Sequence, residues 1–369
     1  MCIRDSNGGN SAYFGEGGNR YTGITYGSVV NKNLTWEKAL SYNFGVDVNF
    51  LNHWDAKVDY WYRNSYDILG NRQNTLPTSF SLSMPAENYG KIHAQGVDFE
   101  IGYNGASKDF TYYGRLTASY GWNKVKVKDY AENAQYVDIP VGKSTSYITG
   151  YQFDRIIRTQ AELDAFNREH PDYNFGGHKP ELGQMVYKDV SGPDGEPDGI
   201  INSWDRVILR KRNNPVIMGI NLGGSWKGLA IDMTFNGSLG RKKWIYDLCE
   251  GVEWNRMWKE WYYDSWTPET PNASLPKRKS ANEGNTYDQY TDFWLKDASF
   301  LRMKYLTVSY TLPKNQFYNK VFDDIRFYVS GTNLFVLSKF NNKYYDPEIG
   351  HGNAYPVMRT ISFGVDVKF

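Results

Sequence analysis

Nine segments of the chain alternate apolar and polar residues, so that each would present an apolar and a polar face as an extended strand. In the first segment Leu40, Tyr42 and Phe44 share one face, while Ser41 and Asn43 share the other. This pattern predicts an all-β fold of antiparallel strands. The nine segments cover residues 36–50, 54–62, 91–103, 110–123, 216–226, 229–239, 300–312, 325–337 and 359–369.

The predicted strands are long. Several have ten residues or more, whereas a strand in a soluble protein usually has about 5 to 6. A strand that crosses a membrane as part of a β-barrel needs about 9 to 11 residues. Strand length therefore favours an antiparallel transmembrane β-barrel over a soluble sandwich.

The connections between the predicted strands are alternately short and long. Outer-membrane barrels join their strands by short periplasmic turns and long extracellular loops. The alternation predicts a periplasmic C-terminus at Phe369, with residues 1–35 as the remnant of an extracellular loop. Within that remnant the first six residues, MCIRDS, lack the apolar core and cleavage site of a signal peptide and are predicted to be spurious. Residues 7–27 are rich in Gly and Asn and are predicted as loop. The short connections are 51–53, 104–109, 227–228 and 313–324, and the long ones are 63–90, 124–215, 240–299 and 338–358.

The number of strands indicates an incomplete barrel. Bacterial single-chain barrels have an even number of strands, and nine strands that begin on the outside do not close one. We therefore predict that residues 36–369 are the C-terminal part of a larger barrel.

Seven stretches resemble the C-terminal part of the SusC-like TonB-dependent outer-membrane transporters. They are WEKALSYNFGVDVNF (36–50), MPAENYGKIHAQGVDFEIGY (84–103), DRVILRKRNNPVIMGINLGGSWKGLAIDMTFNGSLG (205–240), WTPETPNASLPK (266–277), DASFLRMKYLTVSYTLP (297–313), FYVSGTNLFVLSKF (327–340) and YPVMRTISFGVDVKF (355–369). The resemblance implies the outer membrane of a Gram-negative bacterium and a barrel of about 22 strands around an N-terminal plug. It implies import of oligosaccharides or peptides, energised by a TonB–ExbB–ExbD complex through the plug. It also implies two further partners, a SusD-like surface lipoprotein that acts as a lid and the lipids of the outer membrane.

The resemblance also bears on the last strand, which ends in Phe369. Apolar residues precede it at alternate positions, namely Phe363, Val365 and Val367. Such an ending is similar to the signal read by the machinery that assembles outer-membrane barrels. A lipid-facing stripe explains the same residues, and both roles are compatible.

The segment DGEPDGIINSWD, residues 194–205, has the spacing of an EF-hand-type calcium loop. Calcium prefers about six to eight hard oxygen ligands, and Gly199 at the sixth position allows the sharp turn. Asp replaces the usual Glu at the last position and no helix pair clearly flanks the loop, so a solvated acidic turn is the alternative. We predict a calcium ion bracing an outside loop, with ligands from Asp194, Glu196, Asp198, Asn202, Asp205 and the carbonyl of Ile200.

Trp254, Trp258 and Trp261 recur at helical spacing in the largest aromatic cluster, which continues with Tyr262. On an outside loop these rings could stack on sugars or contact a lid protein. Packing of the long loop against itself explains the same spacing and is the favoured interpretation.

Residues 159–170 are predicted as a short helix within the longest loop. Thr159 and Glu162 form a capping-box pattern, and Pro171 follows the helix end. Its small apolar face favours packing within the loop over contact with a lid.

Composition excludes several function classes. The 42 basic and 41 acidic residues give a net charge of +1, which provides no basic field for nucleic acid. The two cysteines allow neither a disulfide framework nor a Cys-rich zinc site. Neither the five histidines nor any serine lies in a zinc-protease or nucleophile-elbow pattern, so we predict that the protein is not an enzyme. The alternative class is a soluble β-rich carbohydrate-binding or hydrolytic protein, which would explain the aromatic content of 17% but not the alternation of loop lengths.

Overall fold

The structure is a computed structural model that describes residues 6–14, 19–26, 31–72, 85–245, 259–278, 290–313, 321–340, 344–350 and 354–369. For residues 6–14, 19–26, 260 and 261 it describes the backbone alone. Within these ranges the helices are α1 (Gln160–Glu169) and the short α2 (Lys259–Tyr263). The strands are β1 (Ser6–Phe14), β2 (Asn19–Tyr26), β3 (Lys38–Phe50), β4 (Trp54–Gly70), β5 (Glu87–Ser107), β6 (Phe110–Val127), β7 (Ile148–Gly150), β8 (Phe153–Ile156), β9 (Asn174–Phe175), β10 (Met185–Tyr187), β11 (Ile200–Ile201), β12 (Val207–Arg210), β13 (Val216–Trp226), β14 (Leu229–Leu239), β15 (Lys242–Trp244), β16 (Leu295–Asp297), β17 (Phe300–Thr311), β18 (Asp324–Leu337) and β19 (Thr360–Lys368).

The nine predicted strands form one sheet of nine strands. Its order is β19-β18-β17-β14-β13-β6-β5-β4-β3, so each strand lies beside its predecessor among the long strands. The strand prediction and the all-β fold class are confirmed. Three strands run further towards the long connections than predicted, β4 to Gly70, β5 from Glu87 and β6 to Val127. Backbone pairing continues there, although the alternation of side chains that predicted the strands fades.

The register of the sheet separates an apolar face from a polar one. On one face Ile231, Val308, Val329 and Phe363 lie side by side on four successive strands. On the other face, one residue along, the corresponding row is Asp232, Thr307, Ser330 and Ser362. The apolar row is exposed, and Phe363 is 79% accessible. An exposed apolar face of this extent indicates a surface that meets something other than water.

Two of the short connections, 51–53 and 227–228, are tight turns that use left-handed backbone conformations. Lys227 and Gly228 join β13 to β14 with φ of 46° and 88°. Positive φ at both central residues is the signature of a type I′ turn, whose twist suits antiparallel strands. At the β3–β4 turn Leu51 and Asn52 have φ of 49° and 59°.

Compact packing divides the chain into two units. The first comprises Met1–Asn43, Trp61–Gln95 and Trp122–Thr145, and the second comprises Phe44–Tyr60, Gly96–Gly121 and Ser146–Phe369. In the first unit β1 and β2 form an antiparallel hairpin, so the prediction that residues 7–27 are loop is corrected. The alternation there is obscured by Gly and Asn, which carry little apolar pattern.

In the second unit the long connections are folded segments with a core of their own. Buried aromatic and aliphatic side chains from three connections meet there, among them Tyr187, Trp294 and Phe340. Small sheets pair β7 with β12, β8 with β10, β9 with β11 and β15 with β16. The predicted helix is confirmed as α1, and its N-cap Thr159 accepts a hydrogen bond from the Glu162 amide. Neither helix of the described residues has the length and apolar character needed to cross a membrane.

Candidate functional site

The polar face of the sheet carries a network of charges that crosses three strands of the second unit. Arg115 on β6 contacts Glu100 on β5 and also Asp55 on β4, the latter at 3.3 Å. Lys57 approaches Glu100 at 3.5 Å. Alternation along each strand places these four side chains on the face opposite the apolar rows. Paired charges on this face give the sheet a structured polar lining.

A tyrosine bridges two strands that are not neighbours on the same polar face. The hydroxyl of Tyr113 on β6 donates to Asp232 Oδ1 on β14 at 2.8 Å. The strand between them, β13, presents Gly223, where a Cβ would overlap the Tyr113 ring. Only glycine at that position lets the ring lie flat across the strand.

Beside these groups lies an open cavity of about 460 Å³ on the polar face. Asp98 accepts a hydrogen bond from the Ser119 hydroxyl at its edge. Three carboxylates and one ammonium group line the cavity together with the apolar residues Ile217 and Met218. Its polar lining consists of Lys57, Asp59, Asp98, Glu100, Thr117 and Ser119.

A clamp built on Arg302 holds residues 344–350, from the connection between β18 and β19, against the polar face. The Arg302 side chain is 3% exposed and contacts the carboxylates of Asp346 and Glu348. Asn236, which lies opposite Arg302 in the register of β14 and β17, donates to Glu348 at 3.1 Å. Residues 344–350 are thus fixed by one buried cation and two partly buried carboxylates.

The predicted calcium loop is folded around Asp205, which is fully buried. Its Oδ1 accepts from the Val190 amide at 2.8 Å, and its Oδ2 accepts from the Asn202 amide at 2.9 Å. The Asn202 side chain in turn caps the Trp204 amide at 2.8 Å. Burial raises the pKa of the Asp205 carboxyl, although these backbone hydrogen bonds oppose that rise.

The structure brings together only part of the predicted ligand set. Asn202 and Asp205 form a reciprocal capping box, whereas Asp194, Glu196 and Asp198 are exposed. Asp198 Oδ1 accepts from the amide of Ile200, whose own carbonyl accepts from Asn202 Nδ2. Within the described ranges, no three His, Cys, Asp or Glu side chains converge as a metal site. The local hydrogen bonds therefore account for the loop by themselves, and calcium binding stays a prediction.

The predicted aromatic cluster is only partly described. Trp254 and Trp258 lie outside the described residues, and Trp261 lies on α2 with its side chain undescribed. Tyr262 on α2 is 62% exposed and open to contact with a partner. The neighbouring Trp266 is instead buried and donates from Nε1 to the Arg158 carbonyl at 3.0 Å.

The predicted assembly signal lies at one edge of the sheet. Phe363, Val365 and Val367 all belong to β19 and are exposed on its apolar face. Phe369 follows the strand and packs its ring against Phe322, with centroids 5.2 Å apart. This placement suits both a lipid-facing stripe and an assembly signal, and the second role stays a prediction.

Two features of the polar face had no signal in the sequence. The partners of Arg302 lie in another connection, and Asp346 is 44 residues away along the chain. Tyr113 and Asp232 are 119 residues apart. Only the pairing of the strands brings these side chains together.

Comparison with known proteins gives consistent results. The model of the family "TonB dependent receptor-like, beta-barrel" matches residues 5–212. TonB-dependent receptor P26 of Formosa agariphila is 26% identical to this chain over 95% of the chain and 36% of its own length. TonB-dependent receptor SusC of Bacteroides thetaiotaomicron is 25% identical over 95% of the chain and 34% of its own length. The chain thus spans about a third of the length of the curated relatives that it matches, and these relatives are receptors rather than enzymes.

A solved structure shares the fold. The RagAB peptide importer in its "open-open" state aligns with a TM-score of 0.72 at 21% identity, covering 100% of this chain and 38% of that one. At that identity the likeness concerns the arrangement of the strands and loops alone.

Proposed function

The chain belongs to the TonB-dependent receptor-like β-barrel family, and on that premise we propose that it supplies nine C-terminal strands of an outer-membrane nutrient importer. The observation that carries the proposal is the separation of the two faces of the nine-stranded sheet. The apolar face meets lipid, and the polar face lines the path of the solute.

The polar face supports the proposed class of solute. A wall lined by Arg115, Glu100, Asp55 and Lys57 offers hydrogen bonds and charges. Such a wall suits oligosaccharides or peptides. One solved neighbour is described as a peptide importer, which supports the inclusion of peptides.

The partners in this proposal lie on the two sides of the membrane. A SusD-like surface lipoprotein would cover the loops outside, where Tyr262 and Tyr263 are exposed on α2. A TonB–ExbB–ExbD complex would supply energy from the inner membrane, acting through a plug. The C-terminus would then lie in the periplasm, on the side of the short turns.

Surface labelling of the complete protein in intact cells tests this topology. The native Cys2 and Cys249 are first replaced by Ser, and single cysteines are then introduced as Lys211→Cys in a long connection or Lys227→Cys in a short turn. A membrane-impermeant maleimide should label the first variant in intact cells and the second only after lysis. Labelling of Lys227→Cys in intact cells would contradict the orientation.

Fractionation and uptake test the function itself. The protein should stay with outer membranes after carbonate extraction, and its deletion should abolish uptake of at least one labelled oligosaccharide or peptide pool. Release in soluble form without detergent would instead support the soluble carbohydrate-binding alternative.

A further inference from the structure

In the first unit, lysines continue the outward face of β6 beyond its last aromatic residue. Lys124, Lys126 and Lys128 alternate along the chain from Trp122, and all three are exposed. Residues two apart on a strand share a face, so these lysines share the face of Trp122. The intervening Val125 lies on the opposite face and is buried, whereas the three lysines are exposed.

A second row of basic side chains lies on the neighbouring strand β5. Lys91 and His93 are two apart on that strand, and Lys91 is exposed. β5 lies beside β6 in the sheet, and the Asp129 amide donates to the Tyr89 hydroxyl at 3.4 Å, so the end of β5 that carries Lys91 lies next to the end of β6 that carries the other lysines. We call the four side chains Lys91, Lys124, Lys126 and Lys128 the lysine patch.

Aromatic rings border the lysine patch on the membrane side. Tyr42 and Tyr62 stack with centroids 6.5 Å apart, and the Tyr62 hydroxyl contacts His93 Nδ1 at 3.1 Å. Along β6, Trp122 is ten residues from Tyr112, roughly 25 Å of membrane thickness for a tilted strand. That distance matches the height of the apolar band of an outer-membrane barrel, about 25 Å. The lysine patch therefore begins where the lipid headgroups would lie.

The charge of the lysine patch is not neutralised by described neighbours. Among the described ion pairs none includes a lysine of the patch. The carboxylate of Glu87 pairs with Arg72 at 3.2 Å, and that of Asp67 pairs with Lys38 at 2.8 Å. Four ammonium groups on an exposed strand face attract anions but form no enclosed cradle for a small ion.

We propose that the lysine patch binds the phosphate groups of a phosphorylated lipid in the outer leaflet, with Trp122 and Tyr62 at the level of its glycosidic or glycerol linkage. This inference rests on the proposed function, because it requires the chain to span the outer membrane with its long loops outside. Depth and charge both favour a lipid over a soluble anion. The membrane holds the phosphate of a lipid at the height of the lysine patch, so an open charged surface is sufficient to bind it. A soluble anion would need a more enclosed site.

Native mass spectrometry of the complete protein in detergent micelles tests the proposal. The probes are lipid A that carries phosphate, the same lipid after removal of its phosphates, and inorganic phosphate at matched ionic strength. The variant is Lys124→Gln/Lys126→Gln/Lys128→Gln. Its charge-matched control is Lys179→Gln/Lys188→Gln/Lys211→Gln, which changes three exposed lysines of the long connection between β6 and β13. Replacement of the three patch lysines by Arg keeps the charge.

We expect the patch variant to bind the phosphorylated lipid at least about tenfold more weakly than the wild type. The control and the Arg variant should bind as the wild type does, and the dephosphorylated lipid should not distinguish the proteins. Equal binding by the patch variant and the wild type overturns the proposal, as does full displacement of the lipid by inorganic phosphate. A wild-type protein that resists carbonate extraction but shows no preference for the phosphorylated lipid refutes this inference alone, whereas a protein released by carbonate refutes the proposed function.

Discussion

Large apolar side chains are exposed on the nine-stranded sheet but buried in the loop core of the second unit. In the sheet Phe363 is 79% exposed and Phe44 is 69% exposed. In the loop core Trp294 is 1% exposed and Tyr187 is 2% exposed. This difference indicates that one face of the sheet suits an apolar environment, whereas the loops bury their apolar side chains away from water.

The two regions are joined where a loop segment meets the wall. Arg302 belongs to the sheet, and its partners Asp346 and Glu348 belong to the connection that follows β18. Side chains from that same connection, including Phe340, enter the loop core. The stability of the loops and the geometry of the polar face are therefore linked through one buried cation.

The largest expected effect comes from opening the loop core. Trp294→Ala removes a fully buried side chain and should cost the loops about 3 to 5 kcal/mol. Hydrogen exchange should speed up in residues 148–210 and 290–299, while the strands of the sheet stay protected. Tyr262→Ala, at an exposed position, serves as the control and should change stability by less than about 0.5 kcal/mol. Unchanged exchange in Trp294→Ala would show that the loops do not share one core.

The second largest expected effect on stability comes from breaking the clamp built on Arg302. Arg302→Met keeps most of the apolar stem but leaves Asp346 without its cation and Glu348 with only the more distant Lys304 at 4.0 Å, at a cost of about 3 kcal/mol. Limited proteolysis should then cut within residues 344–350, which the wild type protects. Adding Asp346→Asn and Glu348→Gln removes the unpaired charges and should restore part of the protection. If the triple variant is cut as fast as the single one, unpaired charge is not the cause.

The apolar face of the sheet allows a matched pair of substitutions on one strand. Val365→Arg places a charge on the lipid side of β19 and should cost about 2 to 4 kcal/mol of barrel stability. Ser362→Arg places the same charge on the polar side and should cost about 1 kcal/mol or less. Heat-modifiable gel mobility of protein folded in outer-membrane vesicles measures both. Equal costs would mean that the two faces meet the same solvent.

The sheet could be predicted from the sequence because lipid on one face and water on the other require apolar and polar residues to alternate along each strand. Beyond the predicted bounds the alternation fades in β4 and β5 and reverses its faces in β6, which is why all three strands were predicted shorter than they are. The hairpin of β1 and β2 was missed for a related reason, since Gly and Asn make up four of the nine residues of β1. Backbone pairing needs no alternation, so these elements exist without a pattern that reveals them.

The loops were largely beyond prediction. α1 was found because a capping box is a local signal, carried by Thr159 and Glu162. The loop core has no such signal, because its members come from three connections and meet only after the sheet has formed. The spacing of residues 194–205 did identify an ordered turn, but it could not tell a ligand from the backbone cap that Asp205 provides.

The smallest expected effect concerns Asp205 and separates the two interpretations of that turn. Burial raises the pKa of its carboxyl, so the folded loop holds the proton more tightly than the unfolded chain does. The stability that this proton contributes is fully present below the ordinary pKa of Asp and is lost as pH rises through the raised value. The unfolding temperature of the loops should therefore fall across that window, and Asp205→Asn should remove the slope.

The same variant should lose about 1 to 3 kcal/mol at neutral pH, because an amide cannot accept from the Val190, Ser191 and Asn202 amides together. Calcium adds a decisive comparison at that pH, where the carboxylates are ionised. If the turn binds the ion, calcium should raise the unfolding temperature of the wild type, and Asp194→Asn/Asp198→Asn should abolish the rise without altering stability in a chelator. If Asp205 acts only as a cap, calcium should leave both proteins unchanged. A rise that survives in the double variant would place the ion elsewhere in the protein.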